Sequence, residues 1–92
     1  MKRAHRVDGP QKQIVAALRK VGASVLDLSG VGGGAPDLLV GYCYQNILLE
    51  VKAPGESQRE NQVEWSDGWN GDPVYVVQTV SNALVAIGAL SA

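Results

Sequence analysis

The chain has 92 residues, which is enough for one domain but buries only roughly 60–65% of the surface an unfolded chain of this size exposes. Aliphatic side chains dominate its apolar set, Phe is absent and Cys43 is the single cysteine, so no internal disulfide is possible and a reducing, cytosolic setting is expected. The net charge of -1 argues against a protein that coats nucleic acid through bulk charge.

The charge is unevenly placed. Lys2, Arg3, Arg6, Lys12, Arg19 and Lys20 lie in the first twenty residues with Asp8 as the only acid there, so this part carries about +5 and the rest about -6. Residues 1–9 read as a basic arm and 10–92 as a single domain. Neither a signal peptide nor a membrane span is expected, because no apolar run follows the basic start.

The first predicted element is a helix over Pro10–Val21, capped by Asp8 and ended by Gly22, with Ile14, Leu18 and Val21 at helical spacing. Val25, Leu26 and Leu28 predict a strand over Ala23–Ser29. Gly30–Gly34 is a flexible loop. A second strand, Asp37–Tyr42, follows Pro36, and a turn near Gln45-Asn46 leads into a third, Ile47–Lys52, forming an antiparallel hairpin. Ser57 and Glu60 fit a capping box for a second helix reaching Trp69. Val74–Thr79 reads as a fourth strand, and Ser81 as the cap of a last helix. The expected class is α/β, in the order α-β-β-β-α-β-α with a mixed central sheet.

The hairpin carries the chemistry. Glu50 and Lys52 are two apart on one strand and share a face, while Leu49 and Val51 point into the core. Asp37 opens the neighbouring strand and can approach Glu50 at one end of the sheet. Two converging carboxylates favour a cation between them, and oxygen ligands suit Mg²⁺ or Mn²⁺. The backbone carbonyl of Val51 could add a third oxygen, and Lys52 could stabilise charge on a phosphate. Against this stands the plainer reading, in which Asp after Pro marks a turn and Glu-x-Lys a solvated strand face. Trp65 and Trp69, four apart, predict core or interface packing ahead of base stacking.

The ordered set Pro36-Asp37, Glu50-Val51-Lys52 and Gln62-Val63-Glu64-Trp65 resembles the PD-(D/E)xK nuclease superfamily, and within it the stand-alone, phage-type VRR-NUC domains. The resemblance runs from Val7 to about Gly88. It implies a restriction-endonuclease-like fold and divalent-metal hydrolysis of a DNA phosphodiester in the interior of a bacterial cell. Asp37 and Glu50 would bind metal, Lys52 would assist attack, and Gln62 would lie near the metal and the scissile phosphate. Apart from the resemblance, the basic residues Lys2, Arg3, Arg6 and Lys12 could hold phosphates, and Gly32, Gly33 and Gly34 could let backbone approach them closely, against the plainer readings of a solubilising arm and a mobile connector. Relatives of this type suggest a homodimer acting on branched DNA such as a Holliday junction. The family often carries a glutamate in the first helix, and the matching position is Gln13, which supplies no charge. A catalytically weak DNA-binding or assembly module is therefore the alternative expectation.

Overall fold

The computed structural model describes residues 9–91. Their elements are α1 (Gly9–Lys20), β1 (Ser24–Asp27), β2 (Leu38–Tyr42), β3 (Gln45–Val51), α2 (Glu60–Asp67), β4 (Tyr75–Val77) and α3 (Val80–Ala86). This is the expected α/β order. The four strands form one mixed sheet in the order β1-β2-β3-β4. The first three are antiparallel neighbours, and β4 runs parallel to β3. A parallel pair needs a crossover, and α2 lies within it.

α1 ends in a Schellman motif: Ala23 N–H reaches Leu18 O (3.0 Å) and Gly22 N–H reaches Arg19 O (3.0 Å). Gly22 supplies the left-handed residue that the motif needs (φ +96°). Arg19 and Lys20 fall in the last turn, where the helix dipole favours cations.

The β2–β3 hairpin pairs Tyr42 with Gln45, so its loop is only Cys43-Tyr44. The turn therefore sits two residues ahead of the expected Gln45-Asn46. Cys43 and Tyr44 both have left-handed backbone, at φ 50° and 65°. Consecutive left-handed residues match the twist of two-residue hairpins, yet non-glycine residues hold them at a cost of order 1 kcal/mol each. The ladder from Leu38↔Leu49 to Tyr42↔Gln45 offsets that strain.

Alternation along the strands splits the sheet into two faces. Leu38, Val40, Ile47, Leu49, Val51 and Val77 are buried on one face, where Ile14 and Leu18 of α1 and Ala83 and Ile87 of α3 complete the core. Each large aliphatic side chain there contributes about 1.5–3 kcal/mol of transfer free energy. The other face carries Leu39, Leu48, Glu50 and Lys52.

Local caps depart from the expected ones. The N-cap of α2 is Arg59, with Gln62 reaching back to it, and the helix ends at Asp67 ahead of Trp69. Ser57 lies too far upstream to cap a helix that starts at Glu60. The N-cap of α3 is Thr79, whose hydroxyl accepts from Asn82 N–H (3.0 Å), and Ser81 already lies inside the helix. Among the described residues, no helix is long and apolar enough to cross a membrane.

Candidate active site

Asp37 sits one residue ahead of β2, and its own N–H donates to Leu49 O (3.1 Å). That bond extends the hairpin ladder past Leu38 and brings the Asp37 side chain beside the end of β3. There Asp37 Oδ2 accepts the Val51 N–H at 2.8 Å. The N–H and C=O of a strand residue leave the same side, so the Val51 carbonyl also faces the Asp37 end of the sheet.

Glu50 and Lys52 share the second face of the sheet, as their spacing required. They are not solvated: Glu50 is 1% exposed and Lys52 5%. Lys52 Nζ lies 3.5 Å from Glu50 Oε2. Gln62 of α2 is likewise buried, and its Nε2 donates to the same oxygen at 2.7 Å. Gln62 Oε1 accepts Arg59 N–H at 2.7 Å, which fixes which end of the amide faces the carboxyl.

α2 comes this close to the sheet because of Gly34. This residue has φ +89°, and a Cβ on it would collide with the Asn61 carbonyl in the first turn of α2. The loop preceding Pro36-Asp37 thus packs directly on the helix that delivers Gln62. Gly32 and Gly33 are exposed with open space around them.

The electrostatics follow from crowding and burial. Burial first, and the Asp37 charge second, push the Glu50 pKa up from 4.5 to about 7 against the opposing pull of Lys52. Asp37 is also raised, first by burial and in part by Asp27, against the pull of the Val51 N–H and Lys52. The two carboxyls lie close enough to interact directly, which favours the protonated form of Glu50 over that of Asp37. One proton thus holds together two groups that repel when both are ionised. A divalent cation would take over that role. Two carboxylates and a carbonyl form a hard oxygen set that suits Mg²⁺ or Mn²⁺. Among the described residues no cluster of three His, Cys, Asp or Glu side chains could hold a metal. A cation here would therefore keep positions open for water and substrate.

The structure thus brings Asp37, Glu50, Lys52, Gln62 and the Val51 backbone to one end of the sheet. Gln13 is elsewhere: it lies exposed on α1, whereas Gln11 is the buried amide of that helix. The signal for Gln11 was present in the sequence, since Gln11, Ile14 and Leu18 continue one helical stripe. Asp27, at the end of β1, was also passed over, and it is close enough to influence Asp37. Lys12 is exposed on α1. Lys2, Arg3 and Arg6 fall outside the described residues, as does the Asp8 cap.

Trp65 and Trp69 stack with ring centroids 4.8 Å apart. They line an apolar groove of about 470 Å³ with Pro36, Leu39 and Leu48, so they are half-exposed neighbours of the site and not core residues. No family model matches this chain, and no curated protein matches it.

Proposed function

We propose that this protein is a divalent-metal-dependent DNA endonuclease of the PD-(D/E)xK type, resembling the VRR-NUC domains. The observation that carries this reading is the pair Asp37 and Glu50. Glu50 is fully buried and the half-buried Asp37 carboxyl is set beside it, with Lys52 next to Glu50. Holding such a pair costs stability, and a structural sheet end would be better served by apolar residues.

In this reading Asp37, Glu50 and the Val51 carbonyl bind Mg²⁺ or Mn²⁺. The bound ion supplies Lewis-acid polarisation of the phosphate and lowers the pKa of water. Lys52 then places its ammonium beside the scissile phosphate, where negative charge grows during attack. Gln62 holds Glu50 Oε2 in place, which limits the ways Glu50 can meet the ion. The exposed Lys12, with Lys2, Arg3 and Arg6, contributes to holding the substrate backbone. A short chain has few elements with which to read bases, so the preferred substrate is branched DNA recognised by shape, cut by a homodimer at a four-way junction.

The test is cleavage of a labelled four-way junction beside a matched linear duplex, in Mg²⁺, in Mn²⁺ and with a chelator. Metal-dependent junction cutting that Asp37→Asn abolishes is the expected result. Binding without cutting in either metal favours the second reading, a catalytically weak DNA-binding module. The exposed position of Gln13, where the family often has an acid, is the observation behind that alternative.

A further inference from the structure

Gln11 occupies an unusual position. It is 8% exposed, in the first turn of α1 and on the same stripe as Ile14 and Leu18. Among the described residues its side-chain amide has no hydrogen-bond partner. A buried amide without a partner costs folding free energy, and an apolar residue on this stripe would avoid that cost.

Gln11 lines a groove of about 330 Å³ between α1 and β1. Lys12 and Arg19 line the same groove from α1, one near the start of the helix and one two turns on, and Asp27 lines it from β1. The Arg19 guanidinium donates to Val25 O (3.3 Å), which ties it to β1. Asp27 already accepts the Ser29 N–H (2.8 Å). Among the described residues, the groove is thus lined by two cations and one carboxylate. The first turn of α1 holds no acidic residue, so the positive end of the helix dipole adds to the charge of the cations.

We infer that this groove is a phosphate subsite, in which the Gln11 amide, Lys12 and Arg19 take a non-scissile phosphodiester of a nucleic-acid strand. A phosphate oxygen accepts from the Gln11 amide and satisfies its buried donor. Lys12 and Arg19 neutralise the charge. Asp27 stands within electrostatic reach of Asp37, so the subsite lies near the nuclease centre and would fix the strand that enters it. The identity of the ligand as substrate DNA rests on the nuclease reading; the anion site does not.

The experiment separates the two. Inorganic phosphate and a short single-stranded oligonucleotide are titrated, without divalent metal, into the labelled protein while the Gln11 side-chain amide is followed by NMR. The amide resonance is expected to move with both probes, saturating at lower concentration per phosphate with the oligonucleotide. Gln11→Met should weaken oligonucleotide binding about tenfold, the equivalent of one charge-assisted hydrogen bond. It should also raise the melting temperature of the free protein, because the unpartnered amide is gone. Lys12→Gln should weaken binding and flatten its salt dependence. An amide that ignores both probes, or a Gln11→Met protein that binds as before, overturns the subsite whatever the cleavage assay shows. Movement with inorganic phosphate alone identifies an anion site that does not serve nucleic acid, and overturns the phosphodiester assignment.

Discussion

At the Glu50 end of β3 both faces are buried, and they are chemically opposite. On one, Ile47, Leu49 and Val51 meet α1 and α3 in an apolar core. On the other, Glu50 and Lys52 are sealed against Gln62 with almost no solvent contact. The first face gains free energy from burial, while the second spends it to hold charged groups out of water. The difference teaches that burial alone does not mark a core. A strand can be stabilised by one side and made reactive by the other, because alternate residues report to different neighbours.

The widest separation should come from Glu50→Gln. Loss of the carboxylate is expected to lower metal-dependent cleavage by roughly three orders of magnitude, about 4 kcal/mol of transition-state stabilisation. Thermal unfolding of the metal-free variant at about pH 5–6 should show no loss of stability, since the replaced carboxyl is mostly protonated there. A variant that both unfolds and loses activity would erase the contrast between the faces.

Leu49→Ala tests the opposite face of the same strand. It should cost about 2–5 kcal/mol in a denaturant titration, while any molecules still folded bind metal as before. Gly34→Ala probes what joins the two. Its Cβ meets the Asn61 carbonyl at a left-handed backbone position. Stability should fall by about 1 kcal/mol or more, and cleavage should fall with it because Gln62 is displaced from Glu50.

The effect of pH on the metal-free protein is gradual. The unfolded chain releases the Glu50 proton near 4.5 and the folded one near 7, so the folded state holds more protons between those values. Stability from this face is present below about pH 4.5 and declines as pH rises to about 7, and the raised Asp37 pKa acts in the same direction. Metal binding must displace that proton, so affinity for Mn²⁺ should climb over the same range and level off above it. A calorimetric pH series with and without Mn²⁺ checks both slopes; parallel curves would mean that the ion binds elsewhere.

Much of this arrangement was legible in the residues. Period-two alternation over Leu48–Lys52 placed Glu50 and Lys52 together, and the short connection between β2 and β3 placed Asp37 within their reach. The parts that were not legible depend on chemistry outside the local pattern. Cys43-Tyr44 carry no turn signature, and only the strand ladder forces them into left-handed backbone. Ser57 looked like the better helix cap until tertiary contact with Glu50 made Gln62 the anchor of α2. The helix stripe ran back to Gln11, but a polar residue on an apolar stripe is easily taken as its end.

The Gln62 amide has one further consequence. Its oxygen is needed by the backbone that starts α2 and its nitrogen by Glu50. Fraying of the helix start and loosening of the carboxyl are therefore coupled through one side chain. Glutamate at this position could still cap the helix but would offer Glu50 repulsion, and leucine would serve neither end. The amide thus makes a local unfolding equilibrium part of the site: whatever ligand settles Glu50 also slows hydrogen exchange at the first turn of α2, more than twenty ångströms of chain away in sequence yet one bond away in space.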